Sequence, residues 1–177
     1  MMPSSSDIFE HNVADFATVA KKIVDAGHFL LIVSKPRIAC IQHLCAELER
    51  WKTSVLFRFT IGTLDQGVAS AWEPNAPFIA ERIECLKYAF DHGYRTSISM
   101  EPLLGDPRPV VEALYDFVTD DIWIGVMTAR SSWINDIEDC HVKKLDEDTF
   151  HRVREYVDAL KNDQKIFWKD SIFDFYV

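Results

Sequence analysis

Short β-branched or aromatic runs alternate with longer segments of helical spacing along almost the whole chain, and this alternation limits the fold more than any other feature. The runs are Phe29–Val33, Val55–Ile61, Thr96–Met100, Ile122–Met127 and Ile166–Trp168. The first intervening segment, His11–Ala26, carries Val13, Phe16, Val19, Ala20, Ile23 and Val24 on one face and stops at Gly27, a natural helix C-cap. Helices are also predicted at about Pro36–Arg50, Phe78–His92, Pro109–Val118 and Glu147–Asn162. Pro36 suits a first helical turn, and Gly93 ends the third segment. A helix–strand alternation repeated about five times predicts a parallel sheet covered by helices. The strands read as nearly continuous apolar runs, which predicts burial on both faces. The expected class is therefore α/β, an incomplete (β/α) barrel with about five mainly parallel strands. A full eight-stranded barrel takes about 250 residues, and this chain has 177. We read residues 1–177 as a single domain.

Composition narrows the function classes. The net charge of −9 lowers the prior for a generic nucleic-acid binder without excluding a small basic cleft. Four cysteines are too few for a disulfide scaffold, no apolar run reaches the length of a membrane span, and the first residues carry no leader pattern. These features predict a cytoplasmic protein with free thiols. With six glycines and no glycine-rich fingerprint, a phosphate-cradling loop is not expected. Cys40, His43 and Cys45 have a superficially metal-like spacing, but Cys45 lies about 140° around the helix from Cys40. Helix packing explains them better, and no metal ligands are assigned.

In parallel α/β folds ligands sit beyond the carboxyl ends of the strands. Lys35 follows the first strand, Arg58 and Thr60 share one face of the second, and Ser97, Ser99 and Glu101 share one face of the third. Buried charge is costly unless paired or facing a ligand. Lys35, Arg58, Thr60, Ser99 and Glu101 together suit an amino-acid ligand, with a cation for its carboxylate and Glu101 for an amine or sugar hydroxyls. The competing explanation is an internal Arg–Glu pair with hydroxyls capping the strand ends. The long loop Gly62–Pro77 carries Trp72-Glu73-Pro74-Asn75-Ala76-Pro77.

The runs Ile32-Val33-Ser34-Lys35-Pro36, Phe57-Arg58-Phe59-Thr60-Ile61-Gly62, Trp72–Pro77 with Glu81-Arg82, and Ser97-Ile98-Ser99-Met100-Glu101-Pro102 resemble, in that order, motifs of radical S-adenosylmethionine (SAM) proteins similar to spore photoproduct lyase. Pro3–Ile8 resembles the stretch that follows that family's second barrel strand. The resemblance implies a partial barrel with a [4Fe-4S] cluster and SAM at its top, where reduction of SAM yields a radical that abstracts a substrate hydrogen. It implies SAM contacts at Ser6, Asp7, Lys35 and Thr60, with Arg58 flanking Thr60 and with Ser99 and Glu101 on the strand nearest the adenosine. The family's Cys-x3-Cys-x2-Cys motif is missing from the sequence, and Met1 falls downstream of where it belongs. The cluster is therefore expected only in a full-length parent. Expected partners are SAM and either an N-terminal half or a second copy, meeting an open sheet edge. Nucleic acid stays open as a substrate class. The alternative is a non-catalytic, vestigial partial-barrel domain.

Overall fold

The computed structural model describes residues 1–3, 7–126 and 147–174. Ser6 and the residues after Val126 up to 146 lie outside that set. Five strands form one open sheet in sequential order: β1 (Leu30–Ser34), β2 (Val55–Thr60), β3 (Arg95–Met100), β4 (Ile122–Ile124) and β5 (Ile166–Trp168). Every neighbouring pair is parallel. The helices are α1 (Val13–Asp25), α2 (Ile38–Glu47), α3 (Gln66–Trp72), α4 (Ile79–Asp91), α5 (Arg108–Leu114), α6 (Glu147–Leu160) and α7 (Asp170–Asp174). Strand order never reverses among the described strands, so the winding is that of a barrel and not of a doubly wound sheet. The α/β expectation holds as an incomplete barrel.

The two faces of the sheet differ. Val55, Phe57 and Phe59 of β2 are buried, as are Ile98 and Met100 of β3 and Ile122 and Ile124 of β4. Phe57 meets Tyr94 edge-on, and the Tyr94 hydroxyl donates 2.5 Å to the Cys45 carbonyl of α2. This face is therefore sealed by helices. The opposite face carries Leu31, Val33, Leu56, Arg58 and Trp123, all only partly buried. Phe167 stacks on Trp123 there and is 42% exposed. Burial on both faces, expected from the apolar runs, holds along β3 and at the end of β2, where Ser97, Ser99 and Thr60 are buried on this face too, and is corrected for the flanking positions. The strands are apolar enough for two buried faces, but helices cover only one.

Local chemistry explains the joints. Gly27 and Gly93 both take positive φ, 81° and 76°, which only glycine adopts freely, and each turns the chain from a helix into the next strand. Several helices receive their N-terminal partners from elsewhere. Glu81 of α4 accepts from the Ile38 N–H at 3.0 Å, and Gln66 of α3 accepts from the Ile79 N–H at 2.8 Å. Asp65 caps α3 itself through the Gly67 and Val68 N–H groups. In α1 the buried stripe is Val13, Ala17, Ala20 and Val24, whereas Val19 is 47% exposed, so the sequence-derived face was rotated slightly.

At the sheet's opening edge, Met2 bridges to Ile32 in the parallel sense, donating to the Leu31 carbonyl at 2.9 Å and accepting from the Val33 N–H at 3.0 Å. At the amino end of β3, Arg95 pairs with Asp120, which also accepts from Thr119. Burial works to raise the Asp120 pKa, but the hydrogen bonds from Arg95 and Thr119 and the charge of Arg95 outweigh it and lower it. A depressed folded value means stability that is present above the ordinary carboxylate range and lost as pH falls through the folded value. Asp120→Asn should therefore lower stability at neutral pH by up to about 1 kcal/mol, since the arginine is largely solvated. In urea melts the gap from wild type should close between about pH 5 and pH 2. A gap that stays constant over that range would assign the effect to lost packing.

Candidate functional site

Residues just beyond the carboxyl ends of β1 and β3, with the Trp72–Pro77 run at the end of α3, line a cleft of about 390 Å³. Asp7 enters it from the segment before α1. Its Oδ1 accepts from the Ser34 hydroxyl at 3.1 Å and from the Lys35 N–H at 2.9 Å, and Ser34 in turn accepts from the Ile8 N–H at 3.3 Å. These bonds hold Asp7 against the end of β1. The Lys35 ammonium lies 3.3 Å from Glu73 Oε1. The other carboxylate oxygen of Glu73 accepts from Arg82 Nη1 at 2.7 Å. Arg82 is 1% exposed, and it also donates to the carbonyls of Pro77 at 2.8 Å and Thr60 at 3.1 Å. One carboxylate thus joins two cations, one sunk in the core and one at the cleft. Trp72, Phe9 and Pro102 supply apolar walls.

Of the predicted site residues, Asp7 and Lys35 meet in this cleft. Thr60 and Ser99 lie opposite each other in register, both 8% exposed, on the face away from the helices. Arg58 sits one layer lower. It donates to Ser97 at 2.8 Å and to Asp121 at 2.7 Å, and its guanidinium lies 5.5 Å from the centre of the Trp123 ring. The internal pair weighed from the sequence therefore exists, but its acid is Asp121 and not Glu101. Asp121 precedes β4 and reaches Arg58 across β3. Chain spacing gives no sign of this, because the two residues are 63 apart. Ser6 lies outside the described residues.

Glu101 belongs to a different neighbourhood. It pairs with Lys169 at the carboxyl ends of β3 and β5, beside a second cleft of about 320 Å³. Gly125, at the end of β4, lies beneath this pair: a Cβ there would fall 3.0 Å from Lys169 Cδ and 3.3 Å from Ser171 Oγ. Trp123, Trp168 and Ser171 line this second cleft, and their indole N–H groups and hydroxyl are buried with no hydrogen-bond partner among the described residues. The five-residue constellation expected from the strand ends is therefore divided: Lys35 is at one cleft, Glu101 at the other, and Arg58, Thr60 and Ser99 on the sheet face between them.

Glu73, Arg82, Asp121 and Lys169 were not singled out by sequence reasoning as site residues. Glu73 and Arg82 stood within runs that carried the family resemblance, so their place in the chain was the available signal.

The three described cysteines line neither cleft. Cys40, Cys45 and Cys85 are buried at the interface of α2 and α4, and His43 is exposed on the other side. Burial pushes the Cys45 thiol up to about 12 and raises those of Cys40 and Cys85. Among the described residues no cluster of three or more His, Cys, Asp or Glu side chains is arranged to hold a metal. Among them too, no helix is long and apolar enough to cross a membrane.

Fold and site together define the chain as an open, singly wound parallel α/β sheet with polar clefts at the carboxyl ends of its strands. No family model matches it, and no curated protein does. Among solved structures it is similar to Streptococcus suis SuiB bound to S-adenosylmethionine, with 14% sequence identity and a TM-score of 0.47 over 94% of this chain. The match spans 45% of the length of that protein. A likeness of this extent leaves function to be argued from the site.

Proposed function

We propose that this chain is the SAM-binding and substrate-side portion of a radical SAM enzyme resembling spore photoproduct lyase. The observation that carries the reading is the meeting of Asp7 and Lys35. These residues, 28 apart in sequence, are joined at the end of β1 by the bond from the Lys35 N–H to Asp7 Oδ1, in a cleft wide enough for an amino-acid group. The ordered motifs from Pro3 to Leu103 support it independently. Lys35 would take the ligand carboxylate and Asp7 would fix the loop that carries the lysine. Thr60 and Ser99 would present hydroxyls on the open sheet face. Glu101 and Lys169 would border the adenosine end.

SAM fits these residues, because the cleft offers a cation, carboxylates and an indole wall within one small volume. A [4Fe-4S] cluster does not fit the described residues. The three described thiols are buried between helices, away from the strand ends, and burial holds them protonated. The reading therefore assigns the cluster ligands to another segment or polypeptide.

Lys35→Met should weaken SAM binding about 10- to 100-fold, the worth of one charge-assisted hydrogen bond at a partly desolvated site. Equilibrium dialysis with the chain alone, and with a half bearing the Cys-x3-Cys-x2-Cys motif, measures this. If neither form binds SAM, or if Lys35→Met binds as tightly as wild type, the reading fails.

A second reading rests on the sheet itself. The outer edge of β1 is bridged only at Met2 among the described residues, and the face carrying Phe167 is partly exposed. A non-catalytic partial barrel that pairs with a second copy would dimerise with concentration and bind no SAM.

A further inference from the structure

We infer that the cleft beyond β4 and β5 is a second binding site, one that takes an uncharged amide. It is separate from the cleft beyond β1, and the inference stands whether or not SAM binds there.

Glu101, Trp123, Trp168, Lys169, Asp170 and Ser171 line this cleft. Three buried side-chain atoms among the described residues have no hydrogen-bond partner, and all three belong to this lining: the indole nitrogens of Trp123 and Trp168 and the Ser171 hydroxyl. Buried polar groups in native proteins nearly always find partners, so three orphans gathered at one cleft point to a bound group that meets them. An indole N–H can only donate, so that group must carry acceptors. The three side chains are themselves only partly buried, so a turn of each brings its donor to a ligand while the strand ends stay fixed. Those ends are pinned. The Lys169 N–H donates to the Ile124 carbonyl at 2.9 Å, and the Gly125 N–H donates to the Met100 carbonyl at 3.1 Å.

Charge decides which acceptor. Within the lining two carboxylates, Glu101 and Asp170, face one ammonium, Lys169, which pairs with Glu101. A carboxylate or phosphate would bring acceptors but add to the negative charge. An ammonium would suit the charge but leave the donors unmet. An amide answers both demands. Its carbonyl accepts from an indole or from Ser171, its N–H donates to Asp170 or Glu101, and its flat face suits an indole wall. The chain's net charge of −9 also stands against a phosphate backbone in this place.

The test follows the indole N–H resonances of the isotope-labelled full chain, assigned with Trp123→Phe and Trp168→Phe. Benzamide stands for a free carboxamide and N-acetylglycine N-methylamide for a polypeptide, and the tighter of the two names the source. That amide should move the Trp123 and Trp168 signals saturably and leave in place the signal of Trp51, which precedes β2. Ser171→Ala should weaken it about 2- to 10-fold, the worth of one hydrogen bond between uncharged groups. Benzoate should bind about tenfold or more weakly than benzamide, and Asp170→Asn, at an exposed position, should narrow that gap. The inference is overturned if neither amide moves the two signals, which would leave the donors to ordered water. It is overturned too if benzoate binds as tightly as benzamide, or if adenosine or a short oligonucleotide occupies the cleft in preference to both amides.

Discussion

Arg82→Met is expected to destabilise the protein by about 3–5 kcal/mol, the usual cost of removing one partner from a buried ion pair. The reason is what the side chain leaves behind. Glu73 would lose its partner at 2.7 Å, and the carbonyls of Thr60 and Pro77 would lose their donor, all around a side chain that is 1% exposed. These groups tie the end of β2, the start of α4 and the end of α3 into one joint. Urea unfolding measures the loss. A change below about 1 kcal/mol would show that water replaces the guanidinium and that the joint is not built on it. Removing both charges, as Arg82→Met with Glu73→Met, should recover part of the loss, because two apolar partners leave no orphaned charge.

Gly62→Ala is expected to be the second costly change. A Cβ on Gly62 would lie 2.4 Å from the Pro102 carbonyl oxygen and 3.3 Å from Leu104 Cγ. The nearest obstacle is backbone, tied back by the Leu104 N–H donating to the Gly62 carbonyl at 3.2 Å, so relief requires the strand ends to part. Overpacking of this kind costs about 1–3 kcal/mol, and at this chain length each kcal/mol lowers the melting temperature by about 2–4 °C. Because Pro102 walls one cleft and Glu101 the other, ligand affinity should fall along with stability. Gly125→Ala is the control. Its added carbon meets mainly the Lys169 side chain, whose flexible end can move. Equal losses at the two glycines would mean that the Pro102 contact is not the cause.

The layout of strands and helices was legible because periodicity reports burial, and burial dominates where a helix packs on a sheet. The run Ile166–Trp168 coincides with β5, and the strand expected at Val55–Ile61 ends one residue early as β2. Two short helices were not visible. α3 has only Ala69 buried and contains Gly67, so it makes no apolar stripe, although Asp65 is a cap that the sequence displays. α7 is five residues long, too short for periodicity to register. Burial on both faces holds along β3 but was misjudged for β1, β4 and β5, because an apolar residue reads the same whether or not something covers it.

The site was half legible. Lys35 was placed by its position after the first strand and Asp7 only by the resemblance carried by Pro3–Ile8, and the two meet at the end of β1. Glu101 did not join them because register fixes it next to Gly125 and Lys169, and register depends on pairings between distant segments. The Arg58–Asp121 pair was out of reach for the same reason.

The unequal faces of the sheet divide the work of each strand between alternate residues. Along β2, Val55, Phe57 and Phe59 meet helices and are constrained by volume, whereas Arg58 and Thr60 face the open side and are constrained by what they bond. Tolerance to substitution should therefore oscillate with a period of two. One set of positions would accept only shapes that preserve the core, and the other only side chains that keep or replace the bonds made there. Strands built this way let a lineage change its ligand without first rebuilding its scaffold.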